Sequence, residues 1–217
     1  PLMVDAAKKR LTNLGFFKTV EIKRRPGSAP DRVVVDVEVV EQSTGELSFG
    51  AGYLTAEGVI GDVSITERNL LGKGQFLRLR VAGSQERGQI DLSFTEPRFL
   101  DRNLAAGFDL FHKDMNLSSL SSYRTRRTGG SVRLGFPIAE NLWFTTAYTL
   151  SRDEIYDVDK DISDGTIASR AIIDAEGTAW TSMVSGYLTY DKRNHPTNPT
   201  KGYYLAGSVD FAGAGGD

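Results

Sequence analysis

Cysteine is absent from the 217-residue chain. Its absence removes disulfide staples and thiolate chemistry, and fits a cell-envelope protein only weakly. Also missing is any apolar run near the roughly 20 residues that a membrane helix requires, which excludes a helical membrane protein. A membrane β-barrel stays open, because barrel strands alternate apolar and polar residues and keep average hydropathy low. The mean hydropathy of −0.28 is compatible with that. Neither sign of charge dominates, with 26 basic against 28 acidic residues, so no global field points to nucleic acid. No glycine-rich phosphate loop is present, and no nucleotide or other cofactor is implied. No secretory leader opens the chain, which for an exported protein is expected of a mature fragment or an engineered piece.

Histidine is scarce too. His112 lies in a strand pattern and His195 in a Pro/Asn turn, and neither has a serine–carboxylate arrangement around it. A Ser/His hydrolase site near His112 is a formal alternative with nothing local in its favour, so no catalytic residue is assigned and an enzyme is not expected. The acidic stretch Asp157-Val-Asp-Lys-Asp-Ile-Ser-Asp-Gly165 places Asp157, Asp159 and Asp161 at the 1-3-5 spacing of a calcium loop. The glycine required at the sixth position is Ile162, and the bidentate glutamate at the twelfth is Ala168. A solvated loop, touching at most divalent ions of a lipopolysaccharide layer, fits better, and no metal site is assigned.

Two regions of different texture make up the chain. In residues 1–42, Leu2, Val4, Ala7, Leu11 and Leu14 recur at helical spacing, with Gly15 where a helix-ending glycine belongs. Phe17 to Ile22 alternates as a strand, Arg25 to Asp31 is a turn cluster, and Val33 to Val40 reads as a second strand. Helix–strand–strand in so few residues is too small to bury a sufficient core. Residues 43–217 carry no convincing helix. They show about nine segments of period-2 alternation, long for a soluble sandwich. The first sets Leu47, Phe49, Ala51 and Tyr53 against Glu46, Ser48, Gly50 and Gly52. Later ones set Leu77 and Leu79 against Arg78 and Arg80, and Leu92 and Phe94 against Asp91 and Ser93. Connections alternate between a compact set (68–74, 96–102, 137–140) and a set with polar stretches at 115–123 and 156–178, as outer-membrane barrels require. Aromatic residues (Tyr53, Phe99, Trp143, Tyr148, Tyr190, Tyr203, Tyr204) fall near strand ends in the manner of interfacial girdles. The fold class expected is mainly β: antiparallel transmembrane strands of an incomplete barrel, after a partial α+β unit. Leu47, Phe49, Leu77, Leu79, Leu92 and Phe94 are expected to face lipid. Gly50 and Gly52 have two readings, packing space inside a crowded lumen or a deliberately weak strand at the barrel seam.

Particular motifs sharpen this. Leu11-Thr-Asn-Leu-Gly-Phe-Phe-Lys-Thr-Val-Glu-Ile22 with Asp31-Arg-Val-Val-Val-Asp-Val-Glu-Val-Val-Glu41 resembles the second half of a POTRA domain. Thr44-Gly-Glu-Leu-Ser-Phe-Gly-Ala-Gly-Tyr53 resembles the first barrel strand of the BamA-type outer-membrane assembly factors. Glu67-Arg-Asn-Leu-Leu-Gly-Lys-Gly-Gln75, Phe94-Thr-Glu-Pro-Arg-Phe-Leu100, Gly135-Phe-Pro-Ile138 and Asp191-Lys-Arg-Asn194 with Pro199-Thr-Lys-Gly202 resemble successive periplasmic turns, in the family's order. The resemblance implies a non-enzymatic insertase of the Gram-negative outer membrane, with its POTRA part in the periplasm. The partners implied are unfolded β-barrel proteins, periplasmic lipoproteins of the assembly complex, and outer-membrane lipid with lipopolysaccharide. It further implies that the backbone of Thr44, Gly45, Glu46, Leu47, Ser48, Phe49, Gly50, Ala51, Gly52 and Tyr53 is a lateral gate where substrate strands pair. A TamA-like translocation module, a two-partner-secretion transporter or a simple pore shares the architecture and is the rival reading.

Overall fold

The computed structural model describes residues 2–55, 57–160, 168–194 and 198–213. Helix α1 (Leu2–Asn13) ends where Gly15 turns left-handed at φ +71°, a conformation that glycine adopts without steric cost. Strands β1 (Phe17–Pro26) and β2 (Val33–Glu41) then form a two-stranded antiparallel sheet. Val20 pairs with Val39 and Ile22 with Val37. Among the described residues of this unit only Val20 is buried, while Val33, Val35, Val37 and Val39 stay exposed. Its other face carries ion pairs from Lys23 to Glu38 and from Arg25 to Asp36, both at 2.7 Å.

Nine further strands build one antiparallel sheet: β3 (Gly45–Leu54), β4 (Gly58–Leu70), β5 (Gln75–Gly83), β6 (Arg87–Glu96), β7 (Ala105–Asn116), β8 (Arg124–Ala139), β9 (Leu142–Tyr156), β10 (Gly177–Asp191) and β11 (Tyr204–Ala212). Among the described residues each pairs only with its neighbours in sequence, and β3 and β11 are the two edges. The strands β8, β9 and β10 reach 16, 15 and 15 residues, more than the roughly 9–11 that a strand needs to cross a bilayer.

Because directly paired residues share a face, the register sorts the side chains. One row runs Leu47, Ile65, Leu79, Leu92, Leu110, Gly130 and Leu150. The next on that face runs Leu77, Phe94, Phe108, Val132, Tyr148, Val184 and Phe211. The opposite face carries Glu46, Thr66, Arg78, Ser93, Asp109, Ser131 and Thr149. Toward one end of β7, β8 and β9 the apolar face turns polar. There Arg126 donates to Asp114 at 2.9 Å and lies over the Tyr156 ring at 4.7 Å.

Several details differ from the sequence reading. Short helices interrupt the loops at Ser118–Ser121 and Arg170–Asp174, with a 3-10 turn at Phe99–Asp101; segments so short leave no periodic pattern to detect. Tyr148 sits in the middle of β9 opposite Val132 and Val184, not at a strand end. Trp143 pairs with Thr189 and Pro137, which places it on the polar face. The connections are also less regular than expected. Those at 55–57 and 84–86 are shorter than two of the three in the compact set, and 192–203 on the other end is long. His195 and most of the acidic loop, Asp161, Ile162 and Gly165 included, lie outside the described residues.

Candidate functional site

Strand β3 owes its form to strict alternation of small or polar residues with Leu47, Phe49 and Tyr53, and to a tight connection at 55–57 back into β4. Its register on β4 runs without a bulge from Gly45 opposite Glu67 to Leu54 opposite Gly58. No described strand occupies its other side, and all ten residues are exposed. Phe49 is 82% exposed and Tyr53 71%. An exposed, regular strand edge presents a row of N–H and C=O groups to any strand that can align with them.

The face that Glu46, Ser48, Gly50 and Gly52 share has little that could grip a partner. A methyl at Gly52 would meet nothing within 4 Å, and one at Gly50 would meet the Asp62 carboxylate at 2.6 Å. Lack of packing space does not require the glycine at position 52. From Ser48 to Leu54 no side chain makes a hydrogen bond or ion pair with the described residues. All side-chain fastening of β3 lies at its lower end. Thr44 donates its hydroxyl to Glu67, and the Arg68 guanidinium donates to Glu46 at 3.0 Å.

Behind the edge the polar face is knitted by ion pairs. Arg80 stands 3.8 Å from Asp62, Arg127 3.4 Å from Asp153, and Arg133 2.6 Å from Asp109. Arg133 also donates to Ser93 at 3.2 Å and Thr95 at 3.1 Å, so one guanidinium ties three strands. Room for it comes from Gly107, where a Cβ would lie 2.6 Å from the Phe94 carbonyl and 2.9 Å from Arg133 itself. Trp143 lies over Gly135 in the same way. Arg78 of the sequence reading is exposed on this face and lines a cleft with Phe76, Arg80, Asp91 and Ser93. The six residues expected to face lipid, Leu47, Phe49, Leu77, Leu79, Leu92 and Phe94, fall together on the opposite, apolar face. His112 Nδ1 lies 2.7 Å from the Thr128 hydroxyl on that face. Among the described residues no cluster of three or more His, Asp or Glu could hold a metal ion.

The turn after β10 is the most elaborately bonded. Asp191 accepts from Arg193 Nη2 at 2.7 Å and Nε at 2.9 Å. These hydrogen bonds hold the Arg193 pKa above its ordinary value, and the guanidinium stacks over Tyr204 at 4.7 Å. Asn194 Oδ1 accepts from the backbone N–H groups of Thr200 and Lys201, both at 3.0 Å.

Long antiparallel strands in chain order, apolar across one face and ion-paired across the other, define the wall of an outer-membrane β-barrel protein. A model of the Omp85 superfamily domain matches residues 69–217, and the chain belongs to that superfamily. The outer membrane protein assembly factor BamA of Neorickettsia risticii is 29% identical over 217 residues, covering 100% of this chain and 28% of its own length. The BamA of Nitratidesulfovibrio vulgaris is 32% identical over 215 residues, 97% of this chain and 26% of that protein. The crystal structure of BamA from Haemophilus ducreyi lacking POTRA domains 1–3 superposes with a TM-score of 0.71 at 25% identity, covering 99% of this chain and 42% of that one. The chain thus spans about a quarter of the length of these curated relatives.

Proposed function

We propose that this chain is the seam-bearing part of a BamA-type assembly factor that folds and inserts β-barrel proteins into the outer membrane. In this reading residues 1–42 are the end of its last POTRA domain, on the periplasmic side. Residues 43–217 are the first half of its barrel. The apolar face meets lipid and lipopolysaccharide, and the ion-paired face lines the lumen. The partners are unfolded outer-membrane barrel proteins, with periplasmic lipoproteins of an assembly complex.

The observation that carries this is the build of β3 itself: an unbroken register on β4, with no side-chain hydrogen bond or ion pair from Ser48 to Leu54 among the described residues. A strand entering a bilayer unpaired leaves N–H and C=O groups in hydrocarbon, at a cost of several kcal/mol each. Pairing with residues 44–53 satisfies one side of the incoming strand before it leaves the protein, so edge addition is favoured over bare insertion. The edge suits reversible use. Its backbone offers regular pairing, while Ser48, Gly50 and Gly52 give few side-chain contacts to hold a partner permanently. No covalent bond is made or broken, and the active element is main chain.

The test is a seam lock in the full-length protein. A disulfide joins Ser48→Cys on β3 to the strand that closes against it. Oxidation is expected to stop insertion of barrel substrates and reduction to restore it. Normal insertion by the locked protein would refute the lateral-gate reading and favour a pore or translocation role instead.

A further inference from the structure

Residues 42–44 are the covalent link between the two sheets, and the small unit already bears on this point. The Gln42 backbone N–H donates to the Phe16 carbonyl at 3.0 Å, and its side-chain amide to the Gly15 carbonyl at 2.7 Å. The Phe16 ring stands over Gly74, where a Cβ would meet it at 3.5 Å. Any motion of the small unit therefore pulls on β3 at its lower end. A strand pulled there unzips from β4 one pair at a time, and a one-residue slip would put every side chain on the wrong face.

We propose that Glu67 and Arg68 form a two-sided clamp that isolates the pairing edge from this pull, making them positioning residues of the edge. The proposal rests on the reading of β3 as the pairing edge. Glu67 stands between Gly45 and Leu77 on the apolar face, and Arg68, within the irregular register before Leu70, reaches Glu46 on the polar face. On the apolar side Glu67 takes the Thr44 hydroxyl, and the same carboxylate oxygen accepts the Asn69 N–H at 2.8 Å. Asn69 in turn accepts the Gly74 N–H at 2.7 Å, which ties the clamp into the turn. On the polar side Arg68 holds Glu46 at 3.0 Å, and its own N–H reaches the Thr44 carbonyl at 3.4 Å. Thr44 and Glu46 are thus gripped from both faces just where the chain enters the sheet. The rest of β3, with no side-chain fastening, stays free to accept strands in a fixed register.

Hydrogen–deuterium exchange of the full-length protein in detergent or nanodiscs tests this. Thr44→Val keeps the shape of the side chain and removes the donor, and Arg68→Gln removes the other grip. Each is expected to speed exchange at residues 45–48 roughly five- to tenfold, the scale of losing one well-made hydrogen bond from a local opening, with residues 51–54 unchanged. Thr44→Ser, which keeps a hydroxyl, and the charge-swapped pair Glu46→Arg with Arg68→Glu should restore protection. Unchanged rates in the two loss variants, or no rescue by Thr44→Ser and the swap, would overturn the clamp. Faster exchange without any loss of substrate insertion would leave the clamp standing and count against the pairing-edge reading instead.

Discussion

Arg133 on β8 and Asp109 on β7 meet through Nε and Oδ2 at 2.6 Å, in mid-wall and each about 30% exposed. Asp109 also accepts from Ser131 at 2.9 Å and Ser93 at 2.6 Å. Removing one partner leaves the other charge half-buried and unmatched. Asp109→Asn and Arg133→Met should each destabilise the folded barrel by about 1–3 kcal/mol. The double variant should cost less than the sum of the two, because residues in one network couple. Denaturant unfolding of the full-length protein in detergent measures this, and simple additivity would show that the contact is incidental.

Leu79 and Arg80 are chain neighbours on opposite faces. Leu79 stands between Ile65 and Leu92, while Arg80 stands between Ser64 and Asp91. Leu79→Arg places a guanidinium toward lipid, at about 2–4 kcal/mol near mid-membrane. Arg80→Leu only loosens the 3.8 Å pairing with Asp62, and should assemble nearly normally. Comparing the fraction of each variant that reaches the heat-modifiable folded form decides the matter. Equal tolerance would contradict the assignment of faces.

Leu71, in the turn between β4 and β5, holds φ at 56° and is 80% exposed. Leu100, in the turn after β6, has φ 57°. A left-handed backbone costs a leucine about 1–2 kcal/mol, and an exposed side chain recovers none of it by burial. Leu71→Asn should leave folding intact and raise stability by up to about 1 kcal/mol, since asparagine tolerates this region. A clear loss of stability in the isolated full-length protein would mean that Leu71 packs against something the described residues do not contain.

Alternation made the strands and their faces legible. Leu47, Leu79 and Leu92 could be assigned to one face from spacing alone, since a strand's side chains have a period of two. Gly15 could be placed at the end of α1 because little else fits there. Other features depend on which residues stand opposite one another, and register is not written in any single strand. Glu67 and Arg68 read as ordinary polar positions until Thr44 and Glu46 are set beside them. Trp143 was misplaced for a related reason: an aromatic near a strand end suggests a membrane girdle, but the parity set by Pro137 and Thr189 turns it to the polar face. The left-handed backbone at Leu71 also gives no signal, because leucine is an uncommon choice there.

Pairing in strict chain order has a consequence for how this wall is made. Each new strand from β4 to β11 can be laid on the one before it, so the growing sheet needs no distant partner. One edge is used up and renewed at every step. The other, β3, is bare from the first hairpin onward and stays bare as the wall grows. Two half-built copies at high concentration could therefore zip to each other through their β3 edges before either is finished. Crowding among nascent chains is therefore expected to compete with completion of the sheet.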